Sequence, residues 1–293
     1  MKAAAMDGTV ETAVRWLIVG HGSVGSALVR RLDCRGVRPS TYDPSPRVPV
    51  LQAEHFTAID SRKDAFDIVI SCVAPAAAEQ ALEAVRPLLK PTSLYLEWNT
   101  VPPEIKHAIA KVAPCTVVDV GLIDTLDDEA ANPSVAVSGS EAGKAAALLT
   151  ELGFHVDVVG AECGDAALIK LARSLFMKSL EALVIEFEAA IAPLAGRDVV
   201  VGSIERNLGE RFTGFARMLI ETDRIHAARR SRELEGAVAA FGRAHCSLRV
   251  PQASVDVLRA AAAAWLAPDA PNERAGAREF ARFLGRELQA RNA

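Results

Sequence analysis

Residues 16–25, WLIVGHGSVG, constrain the fold of this chain more than any other stretch. Four consecutive apolar residues fit a short strand buried on both faces. The hexapeptide Gly20-His21-Gly22-Ser23-Val24-Gly25 follows at once, and GSALVRRL continues as a helix. A G-x-G-x-x-G pattern alone is weak; between a strand and a helix it is the first turn of a dinucleotide-binding unit. Gly20 permits the tight turn, Gly22 lets a pyrophosphate approach the backbone, and Gly25 lets the helix pack against the strand. The helix N-terminus then offers free N–H groups to the phosphates. His21, Ser23 and Val24 complete this set of cofactor-binding positions. A glycine-rich turn without a ligand is the alternative, and the strand–turn–helix context weighs against it.

The rest of the first half alternates strands and helices. VRPSTYD (37–43), FDIVISCV (66–73), SLYLEWN (93–99), CTVVDVGL (115–122), SVAVSGS (134–140) and FHVDVVG (154–160) have strand character. AAAEQALEAVRPLL, PPEIKHAIAKV and SEAGKAAALLTEL have helical character. This alternation predicts an α/β doubly wound, mostly parallel sheet with helices on both faces. After Gly160 the strand signals stop, and helices are expected at 164–192, 198–222, 225–245, 251–266 and 272–290. The expected organisation is a loose tail over 1–14, a Rossmann NAD(P)-binding domain over 15–162 and an all-helical domain over 163–293.

Asp43 ends the second strand, 18 residues after Gly25. An acid there accepts hydrogen bonds from the ribose hydroxyls of NAD and repels the 2′-phosphate of NADP. Arg47 lies just beyond and is the alternative that would bind that phosphate, so NAD is favoured and NADP is kept open. SCVAP (71–75) and EWNT (97–100) follow two further strands, at ends that face the nucleotide in an open parallel sheet. Ser71, Asn99 and Thr100 are therefore placed toward the nicotinamide half or the substrate, with Cys72, Val73 and Asn99 taken as cofactor-binding and Thr100 as substrate-binding. Turn chemistry is the plainer reading of each.

The net charge is −4, with no long block of one sign, which gives no sign of nucleic acid or an anionic membrane as partner. No apolar run approaches the roughly 20 residues of a membrane span. The five cysteines form no C-x-x-C pair, so neither a disulfide framework nor a zinc site is indicated and a reducing, cytoplasmic setting is expected. The six histidines show no metal-ligand spacing, and no metal is expected. LIDTLDDEAAN (122–132) holds four carboxylates, more simply a solvated loop than a magnesium site.

GDAALIKLARSLFMKSLEAL (164–183) opens the helical half. Wound at 100° per residue, it puts Leu168, Leu171, Ala172, Leu175, Ala182 and Leu183 on one face. Lys170, Ser174, Met177 and Glu181 fall opposite, flanked by Arg173 and Lys178. An amphipathic helix with its polar face in water explains this. A polar face turned toward a site between two domains explains it equally, and a partly desolvated lysine there is tuned for proton transfer. Lys170 is then the candidate catalytic residue, with Ser174 one turn on to hold the substrate.

WLIVGHGSVGSALVRRL, IVISCVAP, LYLEWNT and GDAALIKLARSLFMKSLEAL together resemble the β-hydroxyacid dehydrogenase and 6-phosphogluconate dehydrogenase superfamily, over about residues 15–265. DRIHAARRSRELEGA (223–237) resembles a branch with its own helical C-terminal domain. The resemblance implies a Rossmann domain joined to an all-helical one, an NAD(P) cofactor, a small-molecule substrate and a homodimer joined through the helical domains. It also implies a catalytic lysine at Lys170. Gly121, Leu122, Arg173, Ser174 and Lys178 take the substrate-binding positions beside Thr100. The chain departs from the pattern: DVGLIDT stands where D-x-P-V-S-G-G is common, and Ser174 stands where an asparagine is usual. The function this implies is hydride transfer to or from a small polar hydroxy acid or related alcohol. An imine or ketone reductase and a non-catalytic nucleotide sensor are the rival readings.

Overall fold

The computed structural model describes residues 14–46, 48–50, 53–59, 65–124, 126, 132–242, 248–272 and 275–292. The expected tail over 1–14 lies outside these residues apart from Val14, as do Arg47, Cys246 and most of the acidic loop. The chain divides into two compact units, Met1–Lys170 and Leu171–Ala293.

In the first unit, strand β1 (Trp16–Val19) leads into helix α1 (Ser23–Asp33), followed by β2 (Ser40–Tyr42), β3 (Glu54–Phe56) and β4 (Phe66–Ser71). Then come α2 (Ala78–Val85), β5 (Leu89–Glu97), α3 (Pro103–Val112), β6 (Thr116–Leu122), β7 (Ser134–Ser138), α4 (Ala142–Glu151) and β8 (His155–Gly160). The eight strands form one sheet in the order β3-β2-β1-β4-β5-β6-β7-β8. All neighbours are parallel except β6 and β7. The sheet is therefore doubly wound, with its switch point between β1 and β4, where ligands of such sheets bind. Side chains alternate between two buried layers. Trp16, Ile18, Ile70, Leu96 and Val118 pack with α1 and α4, while Leu17, Val19, Val69, Tyr95 and Val117 pack with α2 and α3. That alternation is why WLIV shows no polar position: both faces of the strand are inside.

Strand β3 was not anticipated, since its residues EHF carry too little apolar pattern to stand out. Strand β2 is only three residues long, and β5 begins at Leu89 rather than 93.

Helix α5 (Asp165–Ile191) leads into the second unit, which continues with α6 (Arg197–Leu208), α7 (Glu210–Gly242), α8 (Arg249–Ala264) and α9 (Ala277–Asn292). The break expected at 223–224 is absent. It falls instead at Gly209, whose φ of 82° suits glycine and ends α6. The units part inside α5, after Lys170, rather than at 162. The reason is local: the first turns of α5 are held by side chains of β6 and β7, and so belong to the sheet.

The expected faces of α5 are also corrected. Leu171 and Ala182 are buried, but Ala172, Phe176 and Leu183 are exposed while Glu181 is only 2% exposed. Burial of Glu181 is offset by partners within the helical unit. Arg230 donates to its carboxylate and also to Thr222 Oγ1, at 2.8 Å. Beside them, Trp265 Nε1 donates to Asp223 Oδ2 at 2.6 Å. Tertiary partners, rather than hydrophobicity alone, decide which face turns inward.

Burial raises Glu181 to about 7 and Asp223 to about 6, against the pull of Arg230 and, at Glu181, of Lys178. Acids raised in the folded state bind protons more tightly there than in the unfolded chain, where such groups titrate near 4. Their contribution is present below about pH 4 and is lost as pH rises through 6 to 7. Denaturant unfolding of a Trp16→Phe, Trp98→Phe background, followed by the fluorescence of the remaining Trp265, should therefore show stability falling by about 1–3 kcal/mol between pH 5 and 7.5. Glu181→Gln should flatten that fall; an equally steep profile in the variant would show that the pair does not titrate in this range.

Candidate functional site

The glycine loop joins β1 to α1 at the switch point. Gly20 has φ 96°, and a Cβ there would lie 2.7 Å from the Cys72 carbonyl oxygen. A Cβ on Gly25 would lie 2.0 Å from the Gly20 carbonyl oxygen, so the helix packs against its own entry turn. A Cβ on Gly22 would meet nothing within 4 Å. Gly20 and Gly25 are thus required by the fold. Among the described residues nothing packs where a Gly22 side chain would stand, and the open space above it fits a phosphate-bearing ligand at the N-terminus of α1.

Asp43 follows β2 directly. Its Oδ2 accepts the His21 backbone N–H at 2.7 Å, and its Oδ1 accepts the Ser45 N–H at 2.8 Å. Two backbone donors fix the carboxylate while each oxygen keeps a lone pair for a ligand hydroxyl. The His21 ring is buried beneath the loop, 6.1 Å between centroids from His55. Burial, helped by His55 and Arg30 and opposed by the Pro49 carbonyl and Asp43, holds this imidazole below its ordinary value.

A cavity of about 490 Å³ opens at this edge, lined among others by Gly20, His21, Gly22, Asp43, Cys72 and Val73. Those six sequence-derived cofactor positions come together there. Ser23, exposed, is the first residue of α1, and Val24 packs toward the core. Cys72 also supports the loop from below, its Sγ donating to the Gly20 carbonyl at 3.4 Å, and burial pushes its thiol well up.

The second half of the site lies at the ends of β4, β5 and β6. Asn99 is buried; its Nδ2 donates to Ser71 Oγ at 2.9 Å, and its Oδ1 meets no donor among the described residues. Lys170 Nζ donates to Thr100 Oγ1 at 2.7 Å, so the two residues picked out from separate stretches of sequence meet. Gly121 makes that meeting possible. A Cβ there would lie 2.8 Å from the Ala166 carbonyl oxygen and 3.6 Å from the Lys170 Cβ. Its role in the structure is close packing of α5 on β6. Leu122 packs toward the core.

The remaining sequence candidates lie in the helical unit. Lys178 pairs with Glu233 Oε2 at 2.9 Å and donates to Ser174 Oγ at 3.4 Å, so its charge is already met. Arg173 is exposed. Of the acidic loop, Asp124 accepts the Ser134 N–H at 2.9 Å. Thr125 and residues 127–131 lie outside the described residues.

Sequence reasoning passed over the charged residues beneath the site. Glu97, Lys106 and Asp119 are at most 1% exposed. Lys106 Nζ lies 2.9 Å from Asp119 Oδ1 and 3.5 Å from Glu97 Oε1, and donates to the Glu97 carbonyl at 2.7 Å. Burial nonetheless pushes Glu97 above the usual carboxylate range. Asp119 Oδ2 accepts the Gly164 and Ala167 N–H groups at 3.1 and 2.8 Å, and Ser138 Oγ accepts that of Ala166 at 3.0 Å. Together they satisfy donors that a helix start leaves without partners. The signal was there: a lone carboxylate inside apolar strands, as in LYLEW and VVDVG, demands a partner.

No family model matches the chain. A curated relative, an uncharacterised 28.5 kDa protein in the 7S RNA 5′ region of Methanothermus fervidus, is 29% identical over 169 residues. The match spans 57% of this chain and 65% of that relative, just under two thirds of its length. Among solved structures, a 3-hydroxyisobutyrate dehydrogenase from Salmonella typhimurium superposes with a TM-score of 0.73 at 17% identity, over 92% of this chain and 99% of that one. The conserved protein MTH1747, of unknown function and itself similar to 3-hydroxyacid dehydrogenases, gives 0.69 at 22%, over 93% and 99%. A reductive aminase from Aspergillus terreus gives 0.56 at 20%, over 85% and 93%. The chain shares its fold with these proteins, a mostly parallel sheet unit followed by a helical one, as the sequence resemblance implied.

The two glycines make a paired prediction. Gly25→Ala forces a backbone clash and should cost about 1–3 kcal/mol or prevent folding. Gly22→Ala should cost no more than about 1 kcal/mol, because only the preference of a helix N-cap for glycine over alanine is lost. Thermal unfolding of the two variants checks this, and a Gly22→Ala protein as unstable as Gly25→Ala would contradict it.

Proposed function

We propose that the protein is an NAD(P)-dependent oxidoreductase. In this reading it moves a hydride between nicotinamide and a small polar hydroxy acid or related alcohol or carbonyl. The observation that carries the proposal is the Lys170 Nζ to Thr100 Oγ1 hydrogen bond at the end of β5, on the same sheet edge as the glycine loop. The loop, the open space at Gly22 and the fixed Asp43 carboxylate fit a dinucleotide, and Asp43 favours NAD because it would repel a 2′-phosphate. When bound, the nicotinamide supplies the hydride donor or acceptor. Asn99 Oδ1 is a buried acceptor for a ligand N–H. Thr100 orients the Lys170 amino group; as the neutral amine Lys170 takes the hydroxyl proton in oxidation, and as the ammonium it returns that proton in reduction.

A second reading, reduction of an imine or ketone of lower charge, has one observation in its favour. Gly121 is spent on helix packing and is followed by Leu122 and Ile123, so the turn after β6 offers a carboxylate little polar contact. The fold shared with the reductive aminase is compatible with it.

A homodimer through the helical unit is part of the proposal. Phe176, Leu183, Val199, Leu208 and Ile225 are each at least 60% exposed, and Leu183 and Leu208 border an apolar groove of about 250 Å³ with Phe187, Ile204 and Phe212. That much exposed apolar surface suits a partner. A reducing, cytoplasmic setting also belongs to this reading, in keeping with five cysteines that form no C-x-x-C pair. Among the described residues no helix is long and apolar enough to cross a membrane, and no His, Cys, Asp and Glu cluster is arranged for a metal.

A screen of hydroxy acids, aldehydes, ketones and imines with both cofactors, followed at the nicotinamide absorbance, identifies the substrate class. On the best substrate, Lys170→Met should lower kcat by about 10²–10⁴-fold and leave cofactor binding intact. Asp43→Ala should weaken NAD by about 1–3 kcal/mol, measured by calorimetry. Full kcat in Lys170→Met removes the acid/base assignment, and turnover with no substrate in the screen favours a nucleotide sensor. Light scattering should give twice the 31.1 kDa chain mass. A monomer at micromolar concentration removes the dimer.

A further inference from the structure

The reaction proposed above uses none of the charge buried beneath the site. Yet the sheet register aligns that charge with the site. Ser71 pairs with Glu97, Glu97 with Asp119, and Asp119 with Ser138, so four fully buried polar residues form one row across β4, β5, β6 and β7. Each end of the row holds part of the site. Ser71 accepts from the Asn99 carboxamide, and Glu97 Oε1 accepts the Asn99 backbone N–H at 2.9 Å. Asp119 and Ser138 together hold the Gly164, Ala166 and Ala167 N–H groups at the start of α5. Lys170 stands one turn further along that helix and reaches back to Thr100, beside Asn99.

The row has one weakness. Glu97 and Asp119 are carboxylates side by side in a dry layer, and such neighbours repel unless a cation lies between them. Lys106, from α3, supplies that cation and touches both. It also donates to the Glu97 carbonyl, where the chain leaves β5 for Asn99 and Thr100.

We propose that Lys106 is a positioning residue for Lys170. By holding Glu97 and Asp119 together, it locks the Asn99–Thr100 turn and the start of α5 into one rigid frame that sets the Lys170 ammonium on Thr100. The inference deepens the acid/base reading of Lys170 and rests on it for its bearing on catalysis. The frame itself can be tested without turnover.

The test is competitive acetylation of the full chain with trace acetic anhydride, quantified by peptide mass spectrometry, with exposed Lys144 as internal reference. In the parent protein Lys170 is half-buried and hydrogen-bonded, so it should label slowly. Lys106→Met should raise Lys170 labelling by about tenfold, because local opening governs access to it. Lys106→Arg keeps the charge and should restore most of the protection. Leu149→Ala, a cavity in the layer on the opposite face of the sheet, destabilises the same unit without touching the row and should leave Lys170 labelling unchanged. If Lys106→Met fails to fold, Asp119→Asn breaks the same pair while keeping an acceptor for the helix, and the same rise is expected. Parent-like labelling of Lys170 in either folded variant overturns the proposal. So does a rise as large in Leu149→Ala, which would mean general loosening. A tenfold rise in Lys106→Met beside full kcat in Lys170→Met would leave the frame standing and remove only the acid/base role.

Discussion

The contact on which the first unit most depends is the Lys106 ammonium between Glu97 and Asp119. A carboxylate in a dry sheet layer is tolerated only when it is paired and hydrogen-bonded, and removing one partner of such a pair typically costs about 3–5 kcal/mol. Here Asp119 spends one oxygen on Lys106 and the other on the start of α5. One aspartate therefore ties a strand, a crossover helix and the first turns of a 27-residue helix to one another. The partial positive charge of that helix start adds to the attraction. The same contacts explain why the compact units part after Lys170 and not at the last strand: the first turns of α5 have their hydrogen bonds in the sheet.

The glycine-loop side of the site is built differently, from backbone and open space. Gly20 and Gly25 let α1 start where it does, and Gly22 leaves its surroundings empty. Asp43 is fixed by two backbone N–H groups, so its direction is set before any ligand arrives. Such preorganisation lowers the ordering cost of binding. The buried, neutral-leaning His21 fills the volume behind the loop.

The helical unit inverts an ordinary expectation. Glu181, Asp223 and Arg230 form a buried polar cluster, while Phe176 and Leu183 of α5 stay in solvent. The apolar exterior suits the proposed subunit contact, and burial of the two acids raises their proton affinity in the folded unit.

The sequence by itself determined the doubly wound sheet, the glycine loop, the acid after β2 and the change to helices after Gly160. Each is encoded locally, in spacing and residue type that the chain carries within a few residues. It also singled out Lys170 and Thr100, though not that they touch. The strand register, the short β3, the unbroken α7 and the inward turn of Glu181 were decided only in the tertiary structure, because each depends on a partner far away in the chain. Lys106 is the clearest case. On α3 it is one lysine among polar neighbours, and its importance arises only when β5 and β6 pair in register and set two carboxylates beside it, a placement that no window of the sequence contains.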